Sequence, residues 1–261
     1  MVRVSPNLIA VHATKSYLVS KTISLLEKDE EVNQLLKMSN VMAVSRLGYN
    51  DHGPVHARIV AGAALTLFDY LVDSGIKPTT IRDGTVDDIE KAKVIVTLAA
   101  YLHDIGNSIH RFMHEALGSL LAKDILDRIL PQLFDKREEI YSIRQEVMHA
   151  IISTQFDVLC LTMEAGVVKI GDGLDMAEGR ARIPYKLGKI DMHSVSALNI
   201  KWVEVEKDGD RPIKITINME DMAGLFQVEE VLLPKIKTSG LQDKVKIVVL
   251  SRGKEFVTFP R

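Results

Sequence analysis

The chain has 261 residues, 46% of them apolar, and a formal charge of -2. That length supports one large core or a main domain with an appendage, and the apolar fraction excludes a disordered chain. Basic residues are spread along the chain, so nucleic acid is not indicated as a partner, and a lone cysteine, Cys160, excludes an internal disulfide framework.

The N-terminal run MVRVSPNLIAVHATKSYLVSK has neither a long apolar core nor a small-residue cleavage pattern. The longest uninterrupted apolar runs fall far short of the ~20 residues that cross a bilayer. A soluble, cytoplasmic protein with no membrane partner is the expectation. His12 stands apart from other histidines and reads as core or surface, and Cys160, inside FDVLCLTM, reads as core.

Helical spacing of apolar residues predicts a helix over 20–40. LGYNDHGP (47–54) is turn-rich, and Pro54 suits the first turn of the next helix, 55–75, which is rich in alanine and closed by Gly75. Residues 78–88 read as loop, with Asp87 or Asp88 placed to cap a helix over 89–106. Further helices are expected over 113–130, 137–154 and 158–170.

Near residue 195 the period changes. RPIKITINME (211–220) alternates, with Ile213, Ile215, Ile217 and Met219 on one face. NIKWVEVE (199–206) and KVKIVVL (244–250) are further strands, with KDGD (207–210) as a hairpin turn and EFVTF (255–259) as a short edge strand. One amphipathic helix, 223–236, lies between the later strands. The expected fold is therefore mainly α, a helical bundle with a small C-terminal α+β (β-β-α-β) domain. The boundaries are 1–190 for the helical domain and 195–261 for an accessory or dimerisation domain, the latter small for an independent core. A homodimer is the expected assembly.

Only eight histidines occur, and three of them fall in AAYLHDIGNSIHRFMHEALG (99–118). His103 and Asp104 are adjacent at the end of an apolar helix, where a buried carboxylate needs compensation. A bland alternative makes Asp104 a helix cap. His110 and His114 are four apart, as are His52 and His56, so each pair shares a face if helical. Asp172 and Asp175 follow a later helix, with Arg180 and Arg182 beyond. Imidazoles and carboxylates without a thiolate suit a transition-metal site rather than a structural zinc of the cysteine type. Asp175 either orients a ligand or caps the segment after it.

The order His…His-Asp…Asp on successive helices resembles the HD-domain superfamily of metal-dependent phosphohydrolases, and HDIG (103–106) resembles its subfamily signature. VHARIV (55–60), HRFMHEALGSLLA (110–122) and KIGDGLDMAEGR (169–180) resemble the flanking motifs in the right order, over roughly residues 45–185. The resemblance implies an HD-domain helical bundle. It implies His56, His103, Asp104 and Asp172 as metal ligands, Asp104 bridging two ions, and His114 as a further ligand. Many two-metal members place one more histidine on the following helix; here VMHAIISTQFD puts His149 one turn early. Either His149 replaces that ligand by a one-turn shift, or it belongs to the helix core. In a branch that hydrolyses cyclic dinucleotides, an acidic residue precedes the first histidine by one turn. His52 holds that position here, and the GYP motif of that branch is absent.

The implied cofactors are divalent transition metals, two per chain, from Mn, Fe, Zn or Co. Such ions activate water and offset charge on the phosphoryl oxygens, so no side-chain nucleophile is required. Asp104 is then catalytic as well as ligating. Arg111, Arg180 and Arg182 suit phosphate contact, since guanidinium matches phosphate oxygens, and His110 suits proton donation to the leaving oxygen. The expected substrate is a small phosphorylated molecule, a nucleotide or related monoester or diester. Loops 75–88, 155–160 and 173–190 would set selectivity. Two alternatives stay open: a mixed-valent di-iron oxygenase of the same fold, and a non-catalytic metal-binding regulatory module.

Overall fold

A computed structural model describes residues 1–177 and 192–260. The chain is mainly helical with a small mixed β-sheet. Helices α1 (Leu8–Lys15), α2 (Tyr17–Lys28) and α3 (Glu30–Asn40) lead to α4 (Pro54–Asp73). After α5 (Thr79–Arg82) come α6 (Ile89–Leu102), α7 (His114–Ile129), α8 (Arg137–Ile152) and α9 (Met163–Leu174). Helix α10 (Met192–Leu198) precedes the sheet strands β2 (Ile200–Glu206) and β3 (Ile213–Met219). Helix α11 (Leu233–Thr238) separates these from β4 (Val245–Ser251) and β5 (Lys254–Phe259).

The expected helix over 20–40 is two helices. Asp29 is extended (φ -73°, ψ 116°) and its carboxylate accepts from the Val32 amide at 3.0 Å, so it stops α2 and caps α3. Asp88 does cap α6, accepting from the Lys91 amide at 2.8 Å. The helix expected over 158–170 begins later, at Met163, because Thr162 caps it through the Ala165 amide. That shift carries α9 on to Leu174, so Asp172 lies on the helix rather than after it.

Helix α4 lies among α1, α6 and α9. Ala57, Ala61, Ala63 and Ala64 are almost wholly buried, and these small side chains let the neighbouring helices come close. Gly171 on α9 does the same from the other side: a Cβ there would stand 3.1 Å from the Val60 carbonyl oxygen and the Ala64 amide of α4. By length and composition α4 is apolar enough to cross a bilayer, contrary to the reading of apolar runs, which Arg58 and Asp69 interrupt; 67% of its apolar window is buried in this fold. His12 is buried in the same region, its Nε2 2.9 Å from the Thr66 hydroxyl. Cys160 is buried too, and burial pushes its thiol up to about 11, which leaves it protonated at neutral pH.

The sheet order is β1-β2-β3-β4-β5, where β1 is Val2–Arg3. Strand β1 pairs antiparallel with β2 (Val2 opposite Val205), so the first residues of the chain extend the C-terminal sheet. Strands β2 and β3 are antiparallel, β3 and β4 parallel (Ile215 opposite Ile247), and β4 and β5 antiparallel. The parallel pair requires a crossover, which the helical segment 222–238 provides. Ile213, Ile215, Ile217 and Met219 are all fully buried on one face, as the alternation predicts. The helix expected over 223–236 is irregular: a wide π turn (Gln227–Leu232) precedes α11, where Pro234 has no amide hydrogen to bond back. Buried side chains of the helices and of the sheet form one continuous apolar cluster.

One buried acid stands apart from the histidines. Glu164 is fully buried, its Oε1 accepting from the Thr80 hydroxyl at 2.6 Å and amide at 3.2 Å. Burial raises its pKa despite those hydrogen bonds. A raised folded-state pKa means that its contribution to stability is full at acid pH and is lost as pH rises through the folded value. Glu164→Gln is therefore expected to gain stability relative to the parent between about pH 4 and pH 7. Urea unfolding of both chains across that range checks it, and a difference that stays flat or falls would count against the assignment.

Candidate metal centre

Three segments bring four polar groups to one place. His56 lies in the first turn of α4, where Pro54 starts the helix without needing an amide partner. His103 ends α6, and its Nδ1–H donates to the Ala100 carbonyl at 2.8 Å, closing one of the free carbonyls of that helix end. Asp104 follows, and its side chain makes no capping hydrogen bond, so the bland reading of this carboxylate does not apply. Asp172 comes from the last turn of α9.

His56, His103 and Asp172 form a cluster able to chelate a divalent metal ion. His56 Nε2 lies 3.3 Å from His103 Nε2 and 3.3 Å from Asp172 Oδ1, while His103 Nε2 lies 3.7 Å from that oxygen. Asp104 Oδ2 adjoins them, 3.3 Å from His56 Nε2 and 3.5 Å from His103 Nε2. Donors that share one ion with bonds of about 2.0–2.2 Å stand roughly 3–3.5 Å apart, so the spacing fits. Asp104 Oδ2 is also buried without a well-formed hydrogen bond among the described residues, an orphaned acceptor of the kind a cation satisfies.

The outer ring nitrogens are held from behind. The Nδ1–H of His56 donates to Asp175 Oδ2 at 2.6 Å, and that of His103 to a carbonyl, so in the neutral rings both Nε2 lone pairs face inward. Asp175 thus stands behind a candidate ligand, as the orienting role requires, and most of the segment it would cap, 176–180, lies outside the described residues. Asp175→Asn is expected to weaken divalent-ion affinity by about 10–100-fold while the fold persists. Competition against a chromophoric chelator measures it, with circular dichroism as the check on folding.

Burial alone would raise both central carboxyls, but their neighbours win. The imidazoles of His103 and His52, with contacts from His114 and His56, hold Asp104 well below the usual carboxylate range. The Lys235 ammonium, with His103 and His56, does the same for Asp172. Both are anionic at neutral pH, as metal binding requires.

The other sequence candidates fall in different places. His114 opens α7, after Met113 in a left-handed conformation (φ 58°). Its Nε2 lies 3.4 Å from Asp104 Oδ1, and its Nδ1 lies 2.9 Å from Glu115 Oε2 and 3.0 Å from the Arg111 carbonyl. Burial would lower the His114 pKa, yet contacts with Asp104 and Glu115 raise it. Arg111 reaches the same spot, its Nη1 donating to Asn107 Oδ1 at 3.1 Å and lying 3.0 Å from His114 Nε2. His110 does not share a helix face with His114. It lies in the exposed loop before α7, its Nδ1 accepting from the Phe112 amide at 2.9 Å. His149 is not brought to the cluster: Nε2 accepts from the Leu161 amide at 3.3 Å and Nδ1 lies 3.4 Å from the Ser153 hydroxyl. His52 is buried beside His56, ring centroids 5.8 Å apart. Arg180 and Arg182 lie outside the described residues.

Lys235 joins the site without being among the residues expected there. It comes from α11, is 6% exposed, and its ammonium pairs with Asp172 Oδ2. The signal was present in LLPKI, where a lysine interrupts the apolar face of an amphipathic helix.

No family model and no solved structure matches the chain. The uncharacterized protein At3g06530 of Arabidopsis thaliana is similar over 91 residues at 28% identity, 35% of this chain and 4% of that protein. The uncharacterized protein MJ1020 of Methanocaldococcus jannaschii is 46% identical over 222 residues, 85% of each chain. That span takes in far more than a local motif, and the chain belongs to the same family as M. jannaschii MJ1020.

Proposed function

We propose that the protein is a metal-dependent hydrolase of phosphate esters, of the HD type, acting on a nucleotide or a related small phosphomonoester or phosphodiester. The observation that carries the reading is the convergence of His56 Nε2, His103 Nε2, Asp104 Oδ2 and Asp172 Oδ1, with neighbouring pairs 3.3–3.7 Å apart. These are the four residues that the motif order singles out. A divalent transition ion held by them supplies Lewis acidity, which lowers the pKa of water and offsets charge on phosphoryl oxygens.

The two oxygens of Asp104 face different imidazoles, Oδ2 toward His56 and His103 and Oδ1 toward His114. This supports a bridging role and a second ion on the His114 side, giving two ions per chain from Mn, Fe, Zn or Co. Arg111, beside His114, offers a guanidinium for phosphate oxygens. His110 holds its Nδ1 on a backbone amide and keeps Nε2 for proton donation to the leaving oxygen. In this reading His149 supports the end of α8 rather than an ion.

The test is to purify the chain anaerobically without a histidine tag, count metals per chain by mass spectrometry, and assay a panel of phosphoesters. An H56A/D104A chain is the control. Two ions per chain, lost in the control together with ester hydrolysis, is the expected result. One ion would remove the His114 site. A chain that stays inactive on every ester with Mn, Fe, Zn or Co added would overturn the hydrolase reading, and iron-dependent oxygen consumption would replace it with an oxygenase.

A further inference from the structure

Lys235 lies 63 residues beyond Asp172 in sequence, in the crossover segment of the sheet. Its ammonium donates to Asp172 Oδ2 and stands 4.9 Å from the centre of the Phe156 ring. Two glycines of α9 make the approach possible. A Cβ on Gly173 would lie 3.0 Å from Leu232 Cδ1 and 3.2 Å from Lys235 Cδ, so glycine here lets the lysine stem pass without displacing either side chain. A Cβ on Gly166, two turns earlier, would meet the Ser239 carbonyl at 2.5 Å. A second buried lysine, Lys169 on α9, serves a different purpose, donating to the carbonyls of Gln155 and Val158 at 2.7 Å each.

A buried ammonium is costly unless it is paired, and so is a buried carboxylate. Lys235 and Asp172 resolve both costs together. The pairing uses Oδ2 alone, which turns Oδ1 to His56 and His103. A divalent ion held at Oδ1 would share that carboxylate with the ammonium, and two like charges on one carboxylate repel each other. The same lysine therefore orients a ligand and opposes the charge of the ion that the ligand takes.

We propose that Lys235 is a positioning residue and built-in counter-ion of the metal centre. It fixes Asp172 in its ligating orientation, balances that carboxylate before an ion binds, and sets the ion affinity below what the four donors alone would give. The C-terminal unit is thereby part of the centre. The role rests on the metal-binding reading of the cluster and not on hydrolysis, so a chain that binds metal yet cleaves no ester leaves it standing.

The test compares full-length K235Q, K235M and K235R with the parent. Mn2+ and Zn2+ affinities are read by chelator competition, and thermal unfolding is read on the metal-free chains. Glutamine and arginine both keep a donor toward Asp172, whereas only arginine keeps the charge. K235Q and K235M are expected to bind each ion about tenfold or more tightly than the parent, as loss of a like charge requires. Their metal-free forms are expected to melt at lower temperature. K235R is expected to stay near the parent on both counts. A neutral chain that folds only with Zn2+ present would be the strong form of the same result. Unchanged or weaker binding by K235Q would overturn the counter-ion role, as would neutral variants that fail to fold even with Zn2+. A parent chain that binds neither ion removes the metal centre and this role with it.

Discussion

Replacing His103 by alanine is expected to abolish the response of this protein to divalent metal. His103 Nε2 faces His56 Nε2, Asp104 Oδ2 and Asp172 Oδ1, so its loss opens the middle of the donor set and takes away one of two inward lone pairs. A ligand that binds only the folded state at 100 times its dissociation constant stabilises by about 2.7 kcal/mol. For a chain of this size that corresponds to roughly 5–10 °C in Tm. The parent should gain that much on adding Mn2+ or Zn2+ and lose it with a chelator, while H103A should melt at one temperature in both conditions. Ester hydrolysis should fall on the order of 10³-fold, because several kcal/mol of charge stabilisation disappear together. The substitution also frees the Ala100 carbonyl that the ring closes, so the metal-free H103A chain should be less stable than the metal-free parent by about 1 kcal/mol. An H103A chain whose Tm still rises with metal would mean that the ion sits elsewhere.

Much of this arrangement is legible in the sequence because it is carried by local signals. Asp88 ahead of an apolar period marks the start of α6, and the run Ile213, Ile215, Ile217, Met219 marks β3 and its buried face. The order of His56, His103-Asp104 and Asp172 marks the residues that meet. What the sequence hides is of another kind. The apolar period runs unbroken across Asp29, so one helix is expected where an extended residue makes two. Strand β1 has two residues and no alternation to read. His149 sits on the expected helix, but its direction depends on one turn of register, and the structure spends both ring nitrogens on Ser153 and the Leu161 amide. Lys235 meets Asp172 where two glycines on α9 let α11 and the residue after it come close, a contact that no local pattern encodes. Short-range periodicity fixes which residues share a face; the partners of a polar group are decided by packing between distant segments.

Gly106 closes the HDIG stretch, and Gly106→Ala is expected to be among the most damaging small substitutions in the chain. A Cβ at this position would lie 1.9 Å from the His114 carbonyl oxygen and 2.5 Å from the Gly118 amide nitrogen. Both are backbone atoms of the first turns of α7, so no side chain can rotate away and the helix itself must move. Overpacking typically costs 1–3 kcal/mol and more when backbone is displaced. A loss of about 2–4 kcal/mol, roughly 5–15 °C in Tm, is the expectation. The movement would carry His114 away from Asp104 Oδ1, now 3.4 Å from its Nε2, and would disturb the turn that presents Asp104. Gly118, the residue that faces Gly106 across this contact, gives the control. A Cβ there would stand 3.2 Å from the Gly106 amide and 3.3 Å from the His103 carbonyl, which asks for a shift of a few tenths of an ångström. Alanine also gains about 1 kcal/mol of helix propensity over glycine. Gly118→Ala should therefore be nearly neutral, within about 1 kcal/mol of the parent. Chemical denaturation of the two variants, with and without metal, sets them in order. If Gly106→Ala proves as mild as Gly118→Ala, the close crossing of α7 over the turn after His103-Asp104 is not what holds His114 and Asp104 together.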